Sequence, residues 1–233
     1  MDENNNLLER LRAYGDIDTE PTAEAVGKRE VAAQLRALCH SIGSSAASAV
    51  QLTEVAAQLR VQCEILTAAN SQPDPPAKSA AAVIAGMEDF RDRSPVTGQA
   101  NPIAPPVALR ADLDAEIVTG EMTFGPAFEG APGCVHGGFV AAVLDEALGM
   151  ACIFSGGPAM TGELSTRYRQ HIPISTALRV EARLVSVDGR KVRTSGEVYH
   201  ADLVVAEGSG LYIAVDAAKF ERLAAARSQR ADG

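Results

Sequence analysis

The sequence predicts an α+β fold in which an antiparallel sheet wraps around one long central helix, with a helical extension ahead of it. Three observations carry that expectation. The run 135–154 is apolar almost all round, with Phe139, Val140, Val143, Leu144, Leu148, Met150 and Ile153 in it, so it reads as a helix enclosed by a core. Farther on, Leu178, Val180, Ala182 and Leu184 alternate with other residues and Asp188-Gly189 follows, the period and turn chemistry of a β-hairpin. Near the start, Val31, Leu35, Leu38 and Ile42 recur at helical spacing.

The elements follow in order. Residues 1–95 form the expected N-terminal helical region. Its first helix stops at Gly43, and Leu52, Val55, Leu59 and Leu66 mark a second before Asn70. The Ser-rich stretch 41–48 between them predicts a helical hairpin. Gln72-Pro73-Asp74-Pro75-Pro76 reads as a linker at 72–76, and 80–93 predicts one more short helix, ended by Ser94-Pro95. The second domain spans 96–220. After a loop rich in Pro, Gly and Asn come short strands at 107–110 and 117–124, then the apolar helix, stopped by Ser155-Gly156-Gly157-Pro158. A strand near 160–168 would place Met160, Leu164 and Tyr168 on one face and Thr161, Glu163 and Arg167 on the other. The hairpin partner at 192–199 and a last strand at 205–215 complete two short strands, one long helix and a meander of about three strands. Residues 221–233 read as a polar, Ala- and Arg-rich tail.

Composition narrows the function. A chain of 233 residues, 46% hydrophobic, holds one good core and a smaller appendage. Its formal charge of −9 argues against nucleic acid as a partner, because phosphate binding needs a concentrated basic face. Cys39, Cys63, Cys134 and Cys152 are scattered without a CxxC pair, so neither a metal site nor a disulfide framework is expected. Reduced thiols and an N-terminus without a signal peptide's apolar core point to a cytoplasmic protein. Asp145 and Glu146 interrupt the apolar run, so no membrane span is expected.

The chemistry centres on that run. Asp is rarely fully buried unless paired, so Asp145 inside an apolar helix calls for a reason. Eight positions earlier, Gly137 and Gly138 follow His136 at the helix start, where backbone N–H groups lack helical partners and lie open to a ligand oxygen. This is a candidate oxyanion hole. His136 suits either a general acid or a hydrogen bond that shapes the glycine turn.

Gly130-Ala131-Pro132-Gly133-Cys134-Val135-His136-Gly137-Gly138, Asp145, Thr161, Tyr168 and Gly189-Arg190-Lys191 together resemble the hotdog-fold acyl-CoA thioesterases of the PaaI type. The branch they resemble most is that of the thioesterase-superfamily-member enzymes related to carboxyl-terminal modulator protein. The resemblance covers roughly 100–218 and implies a hotdog fold, a homodimer or dimer of dimers, no cofactor, and hydrolysis of fatty or other acyl-CoA to free acid and CoA. It assigns Asp145 as nucleophile or general base, Thr161 as the hydroxyl beside it, Gly137 and Gly138 as backbone donors, and Arg190 and Lys191 as contacts for the CoA phosphates. Gly130 stands where some relatives carry Asn, and Arg169-Gln170-His171-Ile172-Pro173 lacks the usual basic-Pro pair. Helix geometry agrees with a dimer: Gly137 and Asp145 would lie about 12 Å apart along one helix, so one carbonyl meets both only if they come from different subunits. The rival reading is a non-catalytic acyl-CoA-binding sensor or interaction protein, with the N-terminal helices passing the signal to a partner. A hotdog dehydratase or hydratase is disfavoured, since the central helix has no second His.

Overall fold

The computed structural model describes residues 21–69, 92–105, 107–157 and 159–215. Helices α1 (Ala23–Ile42) and α2 (Ala49–Ala68) come first, then strands β1 (Ala108–Asp112) and β2 (Ile117–Thr123). A 3-10 turn at Pro126–Phe128 leads to α3 (Gly137–Ala151), which tightens into a second 3-10 turn at Cys152–Ser155. Strands β3 (Ala159–Tyr168), β4 (Ala177–Asp188), β5 (Lys191–His200) and β6 (Leu203–Ala214) follow. They form one six-stranded sheet in the order β1-β2-β4-β5-β6-β3, antiparallel throughout. The expected α+β hotdog arrangement, a sheet packed on a central helix, is what the chain adopts. The linker at 72–76, most of the helix expected over 80–93 and the tail 221–233 lie outside the described residues.

Packing explains why α3 is so apolar. Val140, Val143, Leu144, Ala147, Leu148 and Ala151 are buried against the sheet, and each fully buried large side chain among them is worth about 1.5–3 kcal/mol. The sheet makes room with small residues: Ala182, Gly196 and Gly208 lie side by side across β4, β5 and β6. A Cβ at Gly208 would stand 3.1 Å from Leu144 and 3.2 Å from Leu148. The helix is nevertheless not enclosed all round. Phe139, Ala142, Asp145, Glu146, Gly149 and Met150 form a face that stays half-buried, so the enclosed helix read from the sequence is half right. Periodicity cannot separate a face that meets a sheet from one left for something else.

Two other expectations are corrected. The first two helices do not fold against each other as a hairpin, and α2 buries no residue; α1 is instead bound to the rest of the molecule. Arg29 pairs with Asp92 at 2.7 Å, and Arg36 donates to the Gln99 and Asn101 carbonyls at 3.2 and 2.8 Å. The second concerns β3, where Gly162 and Glu163 both lie against Leu211 in a β-bulge after Thr161. One extra residue moves every side chain before it to the other face. Thr161 therefore shares the helix side with Leu164 and Tyr168, opposite Tyr212, Gly210 and Ala206, while Met160 faces outward beside Ile213 and is 50% exposed.

Candidate functional site

Asp145 lies just past the middle of α3 on its half-buried face, beside Glu146 and Gly149, where two strands deliver hydroxyls to it. The Thr161 hydroxyl, turned inward by the bulge, donates to Asp145 Oδ1 at 3.0 Å. The Tyr212 hydroxyl of β6 sits 3.1 Å from the same Oδ1 and 3.0 Å from the Asp145 carbonyl oxygen. Thr161 and Tyr212 are themselves cross-strand partners. Both hydroxyls thus hold one oxygen, and among the described residues nothing holds Oδ2. A carboxylate held this way keeps one oxygen for chemistry while its orientation is fixed by the other.

Sequence reasoning missed Tyr212, which is 1% exposed. Its surroundings depend on small residues: a Cβ at Gly149 would touch the ring at 3.5 Å, and one at Gly210 would overlap it. The Gly208-Ser209-Gly210 run two positions before it was the available signal, since Gly inside a strand marks a close approach. Burial raises the Tyr212 hydroxyl's pKa, and the neighbouring Asp145 charge and hydrogen bond raise it further, so this hydroxyl stays a proton donor. Burial, and then the Asp145 charge, also push the Cys152 thiol up to about 12. At about pH 8, thiol titration of the native protein labels the exposed Cys39 and Cys63 and leaves Cys152 unreacted until denaturant is added. Prompt labelling of Cys152 would mean that the underside of α3 is open to solvent. Glu146, next to the site acid, accepts from Ser94 at 3.0 Å and has its pKa raised, first by burial and then by the Asp145 charge, with the Ser94 bond opposing.

The other end of α3 holds the glycines. His136 caps the helix, its Nδ1 accepting the Gly138 N–H at 3.1 Å. The Gly137 N–H has no partner among the described residues, whereas its carbonyl accepts from the Tyr168 hydroxyl at 2.8 Å. Of the two backbone donors expected, one is therefore occupied by His136 and the other is open. The turn leading in is tightly held: Gly130 N–H donates to the Cys134 carbonyl and His136 N–H to the Phe128 carbonyl, each at 2.8 Å. A Cβ at Gly130 would lie 2.8 Å from His136 Cα, which accounts for glycine at that position.

Arg190 and Lys191 sit at the β4–β5 hairpin, where Asp188 pairs with Lys191 across the two-residue loop Gly189-Arg190. Gly189 takes the positive φ of 56° that this turn needs. Arg190 Nε donates to the Ala214 carbonyl at 3.2 Å. Lys191, Ile213 and Met160 form one row across the sheet, next to the row Val192, Tyr212 and Thr161. The two cations are thus at the Asp145 end of the sheet, about 10 Å from β3 by strand spacing, without touching the carboxylate cluster. Arg169, on the segment that follows β3, is engaged by Glu207 through two bonds of 2.8 and 2.9 Å. No group of three His, Cys, Asp or Glu suited to a metal occurs among the described residues.

Comparison with known proteins agrees with this geometry. Residues 132–207 match the thioesterase superfamily. A solved structure described as a thioesterase superfamily protein aligns with a TM-score of 0.70 and 30% identity, over 80% of this chain and 94% of that one. Acyl-coenzyme A thioesterase THEM4 of Bos taurus is 34% identical over 97 residues, 41% of this chain and 40% of that protein. The Xenopus laevis protein of the same name is 32% identical over 91 residues, 38% of this chain and 41% of its own length. The chain matches about two fifths of the length of these curated relatives.

Proposed function

The chain belongs to the thioesterase superfamily, and on that premise we propose that it hydrolyses acyl-CoA thioesters to the free acid and CoA. The observation that carries this reading is Asp145, held at Oδ1 by Thr161 and Tyr212 with Oδ2 open. A protein that only bound the ligand would gain nothing from keeping a carboxylate so oriented on an apolar helix.

In the proposed reaction the thioester oxygen points at the Gly137 N–H. Charge developing on that oxygen is stabilised by this fixed donor and by the positive end of α3, a combination in which one donor is typically worth about 10²–10³ in rate. In one route Asp145 Oδ2 takes a proton from a water that attacks the carbonyl carbon, and the C–S bond breaks as that proton passes to the departing CoA thiolate. In the other, Oδ2 attacks the carbon itself and CoA leaves as the thiolate; water then hydrolyses the mixed anhydride to the free acid, restoring the carboxylate and giving its second proton to the thiolate. The helix is continuous from Gly137 to Ala151, so the two groups stay about 12 Å apart in one chain. A second copy, its α3 antiparallel to the first, supplies the missing half. The half-buried face of α3 and the outer edge of β3, which has no strand beside it among the described residues, are where that copy fits.

Arg190 and Lys191 are proposed to hold the CoA phosphates. Replacing both with Ala raises KM for acyl-CoA while hydrolysis of a short thioester without the nucleotide is little changed, because binding at remote phosphates is uniform between ground and transition states. Equal loss on both substrates would show that the turn acts through structure. The reading as a whole is tested by release of free thiol from acyl-CoAs of increasing chain length. Release that tracks enzyme concentration supports it; binding without release leaves the sensor reading.

A further inference from the structure

His40 ends α1 against the turn that feeds the glycine end of α3. Its Nδ1 accepts the Ala127 N–H at 3.1 Å, and its ring stands edge-on to Phe128 with centroids 5.6 Å apart. A ring accepting through Nδ1 carries its proton on Nε2. Gly125 leaves space for it: a Cβ there would fall 2.5 Å from His40 Cε1. At φ −80° the Gly125 backbone would accept any residue, so the approach of the His40 ring, and not the turn, requires glycine.

From Ala127 two routes lead to the oxyanion turn. The Phe128 carbonyl accepts the His136 N–H at 2.8 Å. The Phe128 ring meets Phe139 at 4.8 Å, and Phe139 meets the His136 ring at 6.2 Å, both edge-on. His136 in turn takes up the Gly138 N–H and leaves that of Gly137 open.

We propose that His40 is a positioning residue of the oxyanion hole: by pinning the Pro126–Phe128 turn it fixes His136 and, through His136, the direction of the Gly137 N–H. The inference rests on the thioesterase reading and gives the N-terminal extension a part in it. The other holds on α1, Arg29 to Asp92 and Arg36 to the Gln99 and Asn101 carbonyls, keep the helix seated when the ring is removed. The turn alone is released.

His40→Ala in the full chain lowers kcat about 10-fold with KM within about two-fold, as expected for a small misplacement of a transition-state donor. His40→Asn restores most of the loss, since its Oδ1 falls where Nδ1 was; His40→Gln, whose polar end lies at the Nε2 position, does not. Gly125→Ala reproduces the defect by displacing the ring and adds little in the His40→Ala background. Hydrogen exchange rises at 126–139 in the Ala and Gln variants and stays unchanged in β4, β5 and β6. Unchanged kcat in His40→Ala overturns the proposal, as does equal behaviour of Asn and Gln. Faster exchange spread over the whole sheet also overturns it, showing that the ring serves stability alone. If the wild-type chain hydrolyses no acyl-CoA, the thioesterase reading falls, and exchange at 126–139 still decides whether His40 holds the turn.

Discussion

Asp145→Asn lowers kcat for acyl-CoA hydrolysis by at least about 10²-fold and leaves acyl-CoA binding close to wild type. The side chain keeps its size, and its amide oxygen takes the place of Oδ1, where Thr161 and Tyr212 both need an acceptor. Those two donors therefore orient the amide with its nitrogen at the Oδ2 position. The fold loses nothing it depends on, because the buried hydroxyl of Tyr212 retains a partner. What disappears is Oδ2, the oxygen the proposed reaction uses, and an amide nitrogen can neither attack a thioester nor accept a proton from water. The measurement is steady-state thiol release alongside calorimetric binding of a non-hydrolysable acyl-CoA analogue. Turnover near wild type sinks the assignment of Asp145. A parallel fall in binding and turnover, with a lowered Tm, would assign the residue to the fold.

The parts of this site legible in the sequence were those fixed by local spacing. His136, Gly137 and Asp145 declare themselves because a glycine pair at the start of an apolar helix and an acid within it each break a local rule. The β4–β5 hairpin was legible for the same reason, through alternation and an Asp-Gly turn. Contacts made across long stretches of chain were not legible. Tyr212 reaches Asp145 from 67 positions away, and His40 reaches Ala127 from 87. Neither distance leaves a periodic trace. The face of Thr161 was misread because a bulge at Gly162 reverses the alternation on which the reading relied. Glycines were the underused signal: Gly125, Gly162 and Gly210 each mark a place where backbone or ring comes too close for a Cβ, or where the strand changes phase.

Two inactive variants should restore activity when they are paired. Gly137→Val alone removes at least about 10²-fold of the rate, because a branched side chain shields the N–H that faces the thioester oxygen. Its Cβ also lies 3.2 Å from the Tyr168 ring and hydroxyl, so Tyr168, half exposed, must move aside. Asp145→Asn is inactive for a different reason, in the other half of the chemistry. If each site takes its Gly137 from one subunit and its Asp145 from the other, a mixed dimer gathers both lesions into one site. The second site then receives an intact Gly137 from the Asp145→Asn chain and an intact Asp145 from the Gly137→Val chain. Random pairing of equal amounts makes half the dimers mixed, each with one working site of two, so co-expression returns about a quarter of wild-type activity. Differential tags isolate the mixed species and raise the expectation to about half. Absence of recovery in tagged, purified mixed dimers would place both groups within one chain, and the 12 Å that a continuous helix puts between them would then exclude a shared carbonyl.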